Sequence, residues 1–303
     1  MQQRRIPHTD LDVSVVCLGT MTFGTPVDQQ GVNGIIDWCL DNGLNFIDTA
    51  DMYEGYTRFL GSPGGKSEAY IGNALAGRRD QAIVTTKVGN PVGDDTYSGT
   101  GLGRDHMLHQ IDASLGRLRT DYVDIYEMHR DDPDTPLEES IAVMAELIEA
   151  GKVRHWGFSN FEPDDIHRMI ALCDGNGWPR PVIAQPQLSW LVRDSEEAYI
   201  PACIEYDIAV TPYRTLQAGL LTGKYKRGRE APLGSRGDES SWLDDPDDEL
   251  WDRIEEFERE AAGASLTPTQ YAVKWLLDRP GVTSVIVGCK RPDQLEPFAE
   301  AFA

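Results

Sequence analysis

The sequence predicts an α/β protein, a (β/α)8 TIM barrel with an N-terminal β-hairpin. Three observations lead there. Eight short, β-rich runs alternate with amphipathic helical stretches, and such alternation implies parallel pairing through βαβ crossovers. The runs are apolar at nearly every position, as strands are when both sheet faces are covered. The length of 303 residues suits one barrel, which runs to about 250 residues or more, so 1–303 is read as a single domain.

Taken in order, RRIPHTDLDVSVV opens the chain as the hairpin. The strands follow as VVCLG (15–19), LNFID (44–48), AIVTTK (82–87), YVDIYEMH (122–129), VRHWGF (153–158), VIAQPQ (182–187), IAVTPY (208–213) and VTSVIVG (282–288). Helices are expected around 30–42, 67–77, 104–119, 136–150, 163–173, 194–206, 267–279 and 292–301. Pro136 suits the first turn of LEESIAVMAELIEA, and Gly151 suits the position just past its end. Thr267-Pro268 opens TQYAVKWLLDR, which Pro280-Gly281 closes. Two insertions, 88–103 and 214–247, break the regular spacing, and long loops after barrel strands belong to the catalytic face. The second carries LTGKYKRG and APLGSRG, a basic, glycine-bearing cover suited to a phosphate-bearing ligand.

The net charge of −22 opposes nucleic acid or an anionic membrane as partner. Acidic runs such as DDPD (131–134) and DDPDD (244–248) fit adaptation to high salt or an ordinary soluble acidic surface. No apolar stretch approaches the roughly 18 residues of a membrane span, and the start lacks the apolar region of a signal peptide. Five scattered cysteines without a CxxC pair fit reduced, packed thiols of a cytoplasmic protein. HMLH (106–109) has the spacing of a metal pair but no carboxylate in register, so no metal is expected.

Asp48, Tyr53, Lys87 and His129 stand near the ends of the second, third and fourth runs. In a parallel barrel the carboxyl ends of the strands meet at one face, so these four converge there. A carboxylate, a phenol, an ammonium and an imidazole together deliver protons, which suits chemistry on a carbonyl. Tyrosine keeps its proton at neutral pH because its free pKa is about 10. Lys87 is expected to lower that value by stabilising the phenolate, and Asp48 to keep Lys87 charged and aimed. His129 would orient the carbonyl oxygen. Singly, each has a plainer explanation: Asp48 as a turn former, Tyr53 as packing, Lys87 as a solvated charge, His129 as a loop hydrogen-bonder.

The segments NFIDTADMY, GGKSEAYIGNAL, TTK, RLRTDYVDIYEMHR, GKVRHWGFSNF, TPYRTLQAGLLTGKY and VIVGCKRPDQLE resemble, in this order, those of the aldo-keto reductase superfamily. The resemblance runs over essentially the whole chain. It implies the tetrad Asp48, Tyr53, Lys87 and His129, and a nicotinamide cofactor on the same barrel face. Independently, no GxGxxG lies between a strand and a helix, so nothing supports a Rossmann site. The implied cofactor contacts are Gly19, Thr20, Met21 and Asp48, then Ser159, Asn160 and Gln185 about the carboxamide, with Tyr213 stacked on the ring. Arg214, Leu216, Gly219 and Lys224 follow on the seventh loop. Gly288, Lys290, Arg291 and Gln294 match the segment around the adenosine 2′-phosphate, which favours NADP (NADPH), with NAD as the alternative. Phe23, Tyr53, His129 and Trp190 are expected to meet substrate, with Met21 and Tyr97 nearby.

The chain departs from the family pattern twice. It has YRTLQAG (213–219) for YSPLGRG, which leaves Arg214 and Gln217 to reach the ligand directly. Phe298 replaces an Asn, so stacking would replace an amide contact to adenine. With Ala303 soon after the last helix begins, a long C-terminal loop is not expected and the pocket should be open. The implied activity is NADP(H)-dependent reduction of aldehydes or ketones, sugar-derived ones included, to alcohols, with Tyr53 as proton donor. The alternative is a cofactor-binding regulatory subunit of the same fold with little turnover. Neither reading decides between monomer and homo-oligomer. A metal-dependent barrel hydrolase would need a His/Asp/Glu cluster at strand ends, and none is found.

Overall fold

The computed structural model of the chain describes residues 1–93, 98–239, 243 and 246–303. Strands β1 (Gln3–Arg5) and β2 (Asp12–Ser14) pair antiparallel as the opening hairpin. Then come β3 (Val16–Gly19), β4 (Phe46–Asp48) and β5 (Ile83–Val88). A small second hairpin, β6 (Val92–Gly93) with β7 (Ser98–Gly99), occupies the first insertion. The remaining strands are β8 (Val123–Met128), β9 (Val153–Ser159), β10 (Ile183–Gln185), β11 (Ala209–Val210) and β12 (Val285–Gly288). Eight of these described strands form one parallel sheet in the order β11-β10-β9-β8-β5-β4-β3-β12. A parallel bridge between Val210 and Val282 brings the two edges together, with Thr283 N–H donating to Val210 O at 2.8 Å. The sheet is therefore closed into the expected barrel.

Helices α1 (Gln29–Asp41), α2 (Lys66–Ala74), α3 (Arg104–Leu118), α4 (Leu137–Glu149) and α5 (Pro163–Asn176) lie between strands as expected. They are followed by α6 (Tyr199–Glu205), α7 (Arg236–Glu239), α8 (Asp248–Gly263), α9 (Pro268–Leu277) and α10 (Glu296–Ala301). Thr267 caps α9: its hydroxyl accepts from Gln270 N–H while the Gln270 side chain accepts from Thr267 N–H. Gly151 ends α4 at φ 73°.

Prolines explain where elements fall short of expectation. Pro186 and Pro212 have no N–H to donate, so β10 stops at Gln185 and β11 at Val210. Pro201 sits in the first turn of α6 and would clash with a helix running through from 194, so residues 194–196 form a separate 3-10 turn. Pro297 likewise divides 292–301 into a 3-10 turn and α10. Helix α8 was not expected. Asp247 caps it, and Ile254, Phe257 and Ala261 bury one face.

The barrel interior holds Cys17, Phe46, Ile125, Ile183, Ala209 and Ile286, packed against Ile6, Leu11 and Val13 of the hairpin segment. The hairpin thus plugs the end from which the strands start, which leaves the carboxyl ends as the open face. All five cysteines are buried free thiols. Among the described residues no helix is long and apolar enough to cross a membrane.

Candidate active site

Strand register carries polar side chains to one rim. Gly19 pairs across from Asp48 and Gly288, Asp48 from Thr85, Lys87 from Glu127, and Gln185 from Ser159. His129 follows β8 directly, its N–H donating to Val88 O at 2.8 Å. Tyr53 comes from the loop after β4. Its N–H donates to Ala50 O at 3.1 Å, and its carbonyl accepts from Ser67 N–H at 2.9 Å, so the turn is pinned from both sides.

Lys87 is fully buried. Its Nζ lies 2.5 Å from Asp48 Oδ1, donates to Thr49 O at 2.8 Å and stands 5.0 Å from the Tyr53 ring centre. The Tyr53 and His129 rings meet edge to face with centres 5.8 Å apart. The four side chains expected from the sequence therefore form one cluster.

Their electrostatics depart from expectation at Tyr53. Burial would strip Lys87 of its proton, but Asp48, Tyr53 and Glu127 outweigh it and hold the ammonium above its ordinary pKa. Burial also raises the Tyr53 phenol, to about 12; Lys87 pulls it back, while Asp48 and Glu127 oppose that pull. One ammonium does not offset desolvation plus two carboxyl groups, so the expected fall below 10 is not found. Burial pushes His129 well down, with Lys87, Arg58 and Arg130 adding to it, so its ring is neutral. Its Nδ1 is buried without a hydrogen-bond partner among the described residues.

Sequence reasoning passed over Glu127. The residue is fully buried, and its Oε1 accepts from Thr85 Oγ1 at 2.8 Å and Gln185 Nε2 at 3.4 Å. Burial, then Asp48, raises its carboxyl to about 7 against the pull of Lys87. A signal was present: Val123, Ile125 and Glu127 alternate onto one face of an apolar strand.

Several of the candidate cofactor residues are already partnered within the chain. Gln185 Nε2 also donates to Asp48 Oδ1 at 2.9 Å, so its amide hydrogens point at two carboxyls instead of awaiting a ligand carboxamide. Ser159 Oγ donates to Gln185 O at 2.7 Å. Asn160 donates to Ser159 Oγ at 2.9 Å and His129 O at 2.8 Å, and it accepts from the Tyr213 hydroxyl at 2.7 Å. Thr20 Oγ1 donates to Asp48 O at 2.8 Å, beside half-buried Met21. Arg214, Gln217 and Ala218 take left-handed φ of 55°, 45° and 55° before Gly219 at 101°. The loop thus turns without the family's Pro and Gly. Gln217 donates to Ser189 Oγ at 2.8 Å in the loop after β10, and Leu216 packs on the core.

Gly288 at the end of β12 is exposed, and three cations, Lys224, Arg236 and Lys290, lie near one another. Lys224 is pushed down by burial and by nearby Lys290 and Arg236, against Tyr225. Lys290 and Arg236 stand 5.2 and 5.4 Å from the Tyr56 ring centre. Lys290 also pairs with Glu239 and donates to Gly234 O at 2.9 Å, and Arg291 pairs with Asp293 at 3.0 Å. Gln294 Oε1 accepts from Lys290 N–H at 2.7 Å.

Several expected contacts fall elsewhere. Phe23 is fully buried in the core and offers substrate no face. Trp190 is 5% exposed, and its indole N–H donates to Glu260 on α8 at 2.9 Å, so the unexpected helix covers it. Phe298 is fully buried and does not reach an adenine. Tyr97 lies outside the described residues. In their place a cleft of about 580 Å³ opens between Met52, Asn90, His129, Arg130, Asp131, Pro133 and Asn160, with walls of mixed polar and apolar surface. His106 of HMLH is buried, and among the described residues no group of three metal-ligating side chains exists.

A sequence profile of the Aldo/keto reductase family matches residues 15–303. The chain belongs to the aldo/keto reductase family. It is similar to a putative voltage-gated potassium channel subunit beta of Schizosaccharomyces pombe, 32% identical, over 96% of this chain and 85% of that one. Among solved structures it is similar to the glycerol dehydrogenase AKR11B4 of Gluconobacter oxydans, at TM-score 0.82 and 30% identity, over 99% of this chain and 90% of that one. The aldo-keto reductase AKR11C1 of Bacillus halodurans in its holo form gives 0.79 and 28%, with the same coverage. Aldo/keto reductases are oxidoreductases that bind a nicotinamide coenzyme. The rim of this aldo/keto reductase fits such a group: Gly288 is exposed at the end of β12, Lys224 feels the charges of Lys290 and Arg236, and among the described residues His129 Nδ1 has no hydrogen-bond partner.

Proposed function

We propose that this chain is an NADP(H)-dependent reductase that converts aldehydes and ketones, sugar-derived ones included, to alcohols, with Tyr53 as proton donor. The observation that carries the reading is the buried Lys87 ammonium, 2.5 Å from Asp48 and 5.0 Å from the Tyr53 ring, at the strand ends of the barrel. When bound, the coenzyme supplies a hydride to the carbonyl carbon. Tyr53 Oη gives its proton to the carbonyl oxygen. An alkoxide is about as basic as hydroxide, whose parent water has a pKa of about 15.7, so a phenol at about 12 still donates downhill. Lys87 stabilises the phenolate left behind, and Asp48 holds Lys87 in place. Neutral His129 directs a ring N–H at the carbonyl oxygen and orients it.

Among the side chains lining the cleft, Asn90, Arg130 and Asn160 offer polar groups to a hydroxylated substrate. The similarity to a glycerol dehydrogenase points the same way. NADP is favoured over NAD because Lys224, Arg236 and Lys290 repel one another, and a 2′-phosphate beside them relieves that repulsion. The buried free thiols support work in the reducing cytoplasm. Purified protein mixed with NADPH or NADH and a panel of aldehydes, sugars among them, should consume NADPH, followed by nicotinamide absorbance. Quenching of coenzyme fluorescence without turnover of any carbonyl would overturn the reading and leave the regulatory-subunit alternative.

A further inference from the structure

Beneath Tyr53, inside the barrel, one ammonium faces two carboxyl groups. Asp48 on β4 holds Lys87 of β5 directly, at 2.5 Å. Glu127 on β8 is held by Thr85, and a single amide nitrogen, Gln185 Nε2, bridges it to Asp48. Its second oxygen, Oε2, is buried with no hydrogen-bond partner among the described residues. An ionised carboxylate in that position would leave one oxygen desolvated and unpaired, which costs far more than a neutral acid there.

We propose that Glu127 is a positioning residue of the reductase site that works by holding a proton. Neutral Glu127 leaves Lys87 and Asp48 as a balanced pair; ionised Glu127 adds uncompensated negative charge, which makes Tyr53 a poorer donor. The inference rests on the proposed reduction with Tyr53 as the acid. The groups facing Glu127 come from every side of the barrel: Cys17 on β3, Asp48 on β4, Thr85 and Lys87 on β5, Gln185 on β10, Tyr199 on α6, and Tyr53. Burial holds the Cys17 thiol and the Tyr199 phenol well above their ordinary values, so both stay neutral, and burial keeps His129 neutral at the rim. Lys87 stays charged. Burial and Asp48 raise Glu127 to about 7 against Lys87, so its charge changes near neutrality.

The consequence has a definite sign. Reduction slows as pH rises through the ionisation of Glu127, well below the pH at which Tyr53 itself titrates. Glu127→Gln keeps the volume and a carbonyl oxygen to accept from Thr85, but removes the ionisation. On the protein alone, infrared difference titration should show a carboxylic-acid carbonyl band that vanishes as pH rises through neutral in the wild type and is absent in Glu127→Gln. Single-turnover reduction with bound NADPH should fall several-fold over the same range in the wild type and stay flat in the variant. An unchanged pH profile in Glu127→Gln, or no titrating carboxylic-acid band in the wild type, overturns the proposal. Should Glu127→Gln fail to fold, Glu127→Asp serves instead: a shorter acid must shift the pH at which band and rate change together, and an unmoved midpoint is contradictory. If neither protein reduces any carbonyl, the proposed function fails, while the infrared titration still decides whether Glu127 carries a proton.

Discussion

Lys87 and Tyr53 share one site yet answer burial differently, because three neighbours favour the Lys87 ammonium while burial and two carboxyl groups oppose the pull of Lys87 on the phenol. Asp48 keeps the ammonium charged, whereas the phenol, with carboxyl groups nearby, is held at about 12. Tyr53→Phe should therefore lower reductive turnover about 10²–10⁴-fold, the usual contribution of a positioned acid, while coenzyme affinity by fluorescence titration stays unchanged. In the oxidative direction Tyr53 must act as phenolate. Because its pKa is about 12, the phenolate fraction grows with pH throughout the ordinary range. Initial alcohol oxidation rates should climb steadily with pH, with no plateau near 10; a plateau there would place the phenol at its free value. The clustering of Asp48, Tyr53, Lys87 and His129 was legible because a strand end is a one-dimensional feature that the barrel converts into proximity. Phe23, Trp190 and Glu127 were misread or missed because burial depends on which partner packs against a residue, and neighbouring sequence does not reveal that.

Elements were legible where their signals are local. Caps and prolines placed α4 and α9 within two residues, and the apolar runs located each barrel strand. Helix α8 escaped although Ile254, Phe257 and Ala261 recur at helical spacing, because it runs straight on from the long insertion. Close approach between elements is equally invisible in the chain. Gly72 on α2 lies so near α3 that an added Cβ would sit 2.3 Å from Arg117 O. Gly72→Ala should cost about 1–3 kcal/mol, the usual range for overpacking, read from the denaturant midpoint. Removing a cap is milder: Thr267→Ala should cost about 1 kcal/mol by the same measurement.

At the scale of the molecule, net charge of −22 sets the response to solvent. Self-repulsion opposes the compact state, and salt screens it, with a Debye length of about 3 Å at 1 M. The melting temperature should rise between low and molar sodium chloride; a fall would mean that the surface ion pairs outweigh the repulsion. Buried acids add a pH dependence. Glu127 is raised from 4.5 to about 7, so between those values the folded state holds a proton that the unfolded chain has lost. Stability contributed by that proton is complete below 4.5 and lost as pH climbs to about 7, about 3 kcal/mol in all. Asp51, buried with both carboxylate oxygens unpaired among the described residues, is raised too and acts with the same sign.

The central claim is that hydride reaches a carbonyl carbon at this rim while Tyr53 protonates the oxygen. NADPH carrying deuterium on the transferring nicotinamide carbon, incubated with an aldehyde substrate, tests it directly by the isotope content of the alcohol. The wild type should place deuterium on the carbinol carbon, and Tyr53→Phe should form almost no labelled alcohol despite binding the coenzyme normally. Undiminished labelling by Tyr53→Phe, or alcohol formed without deuterium, would contradict it.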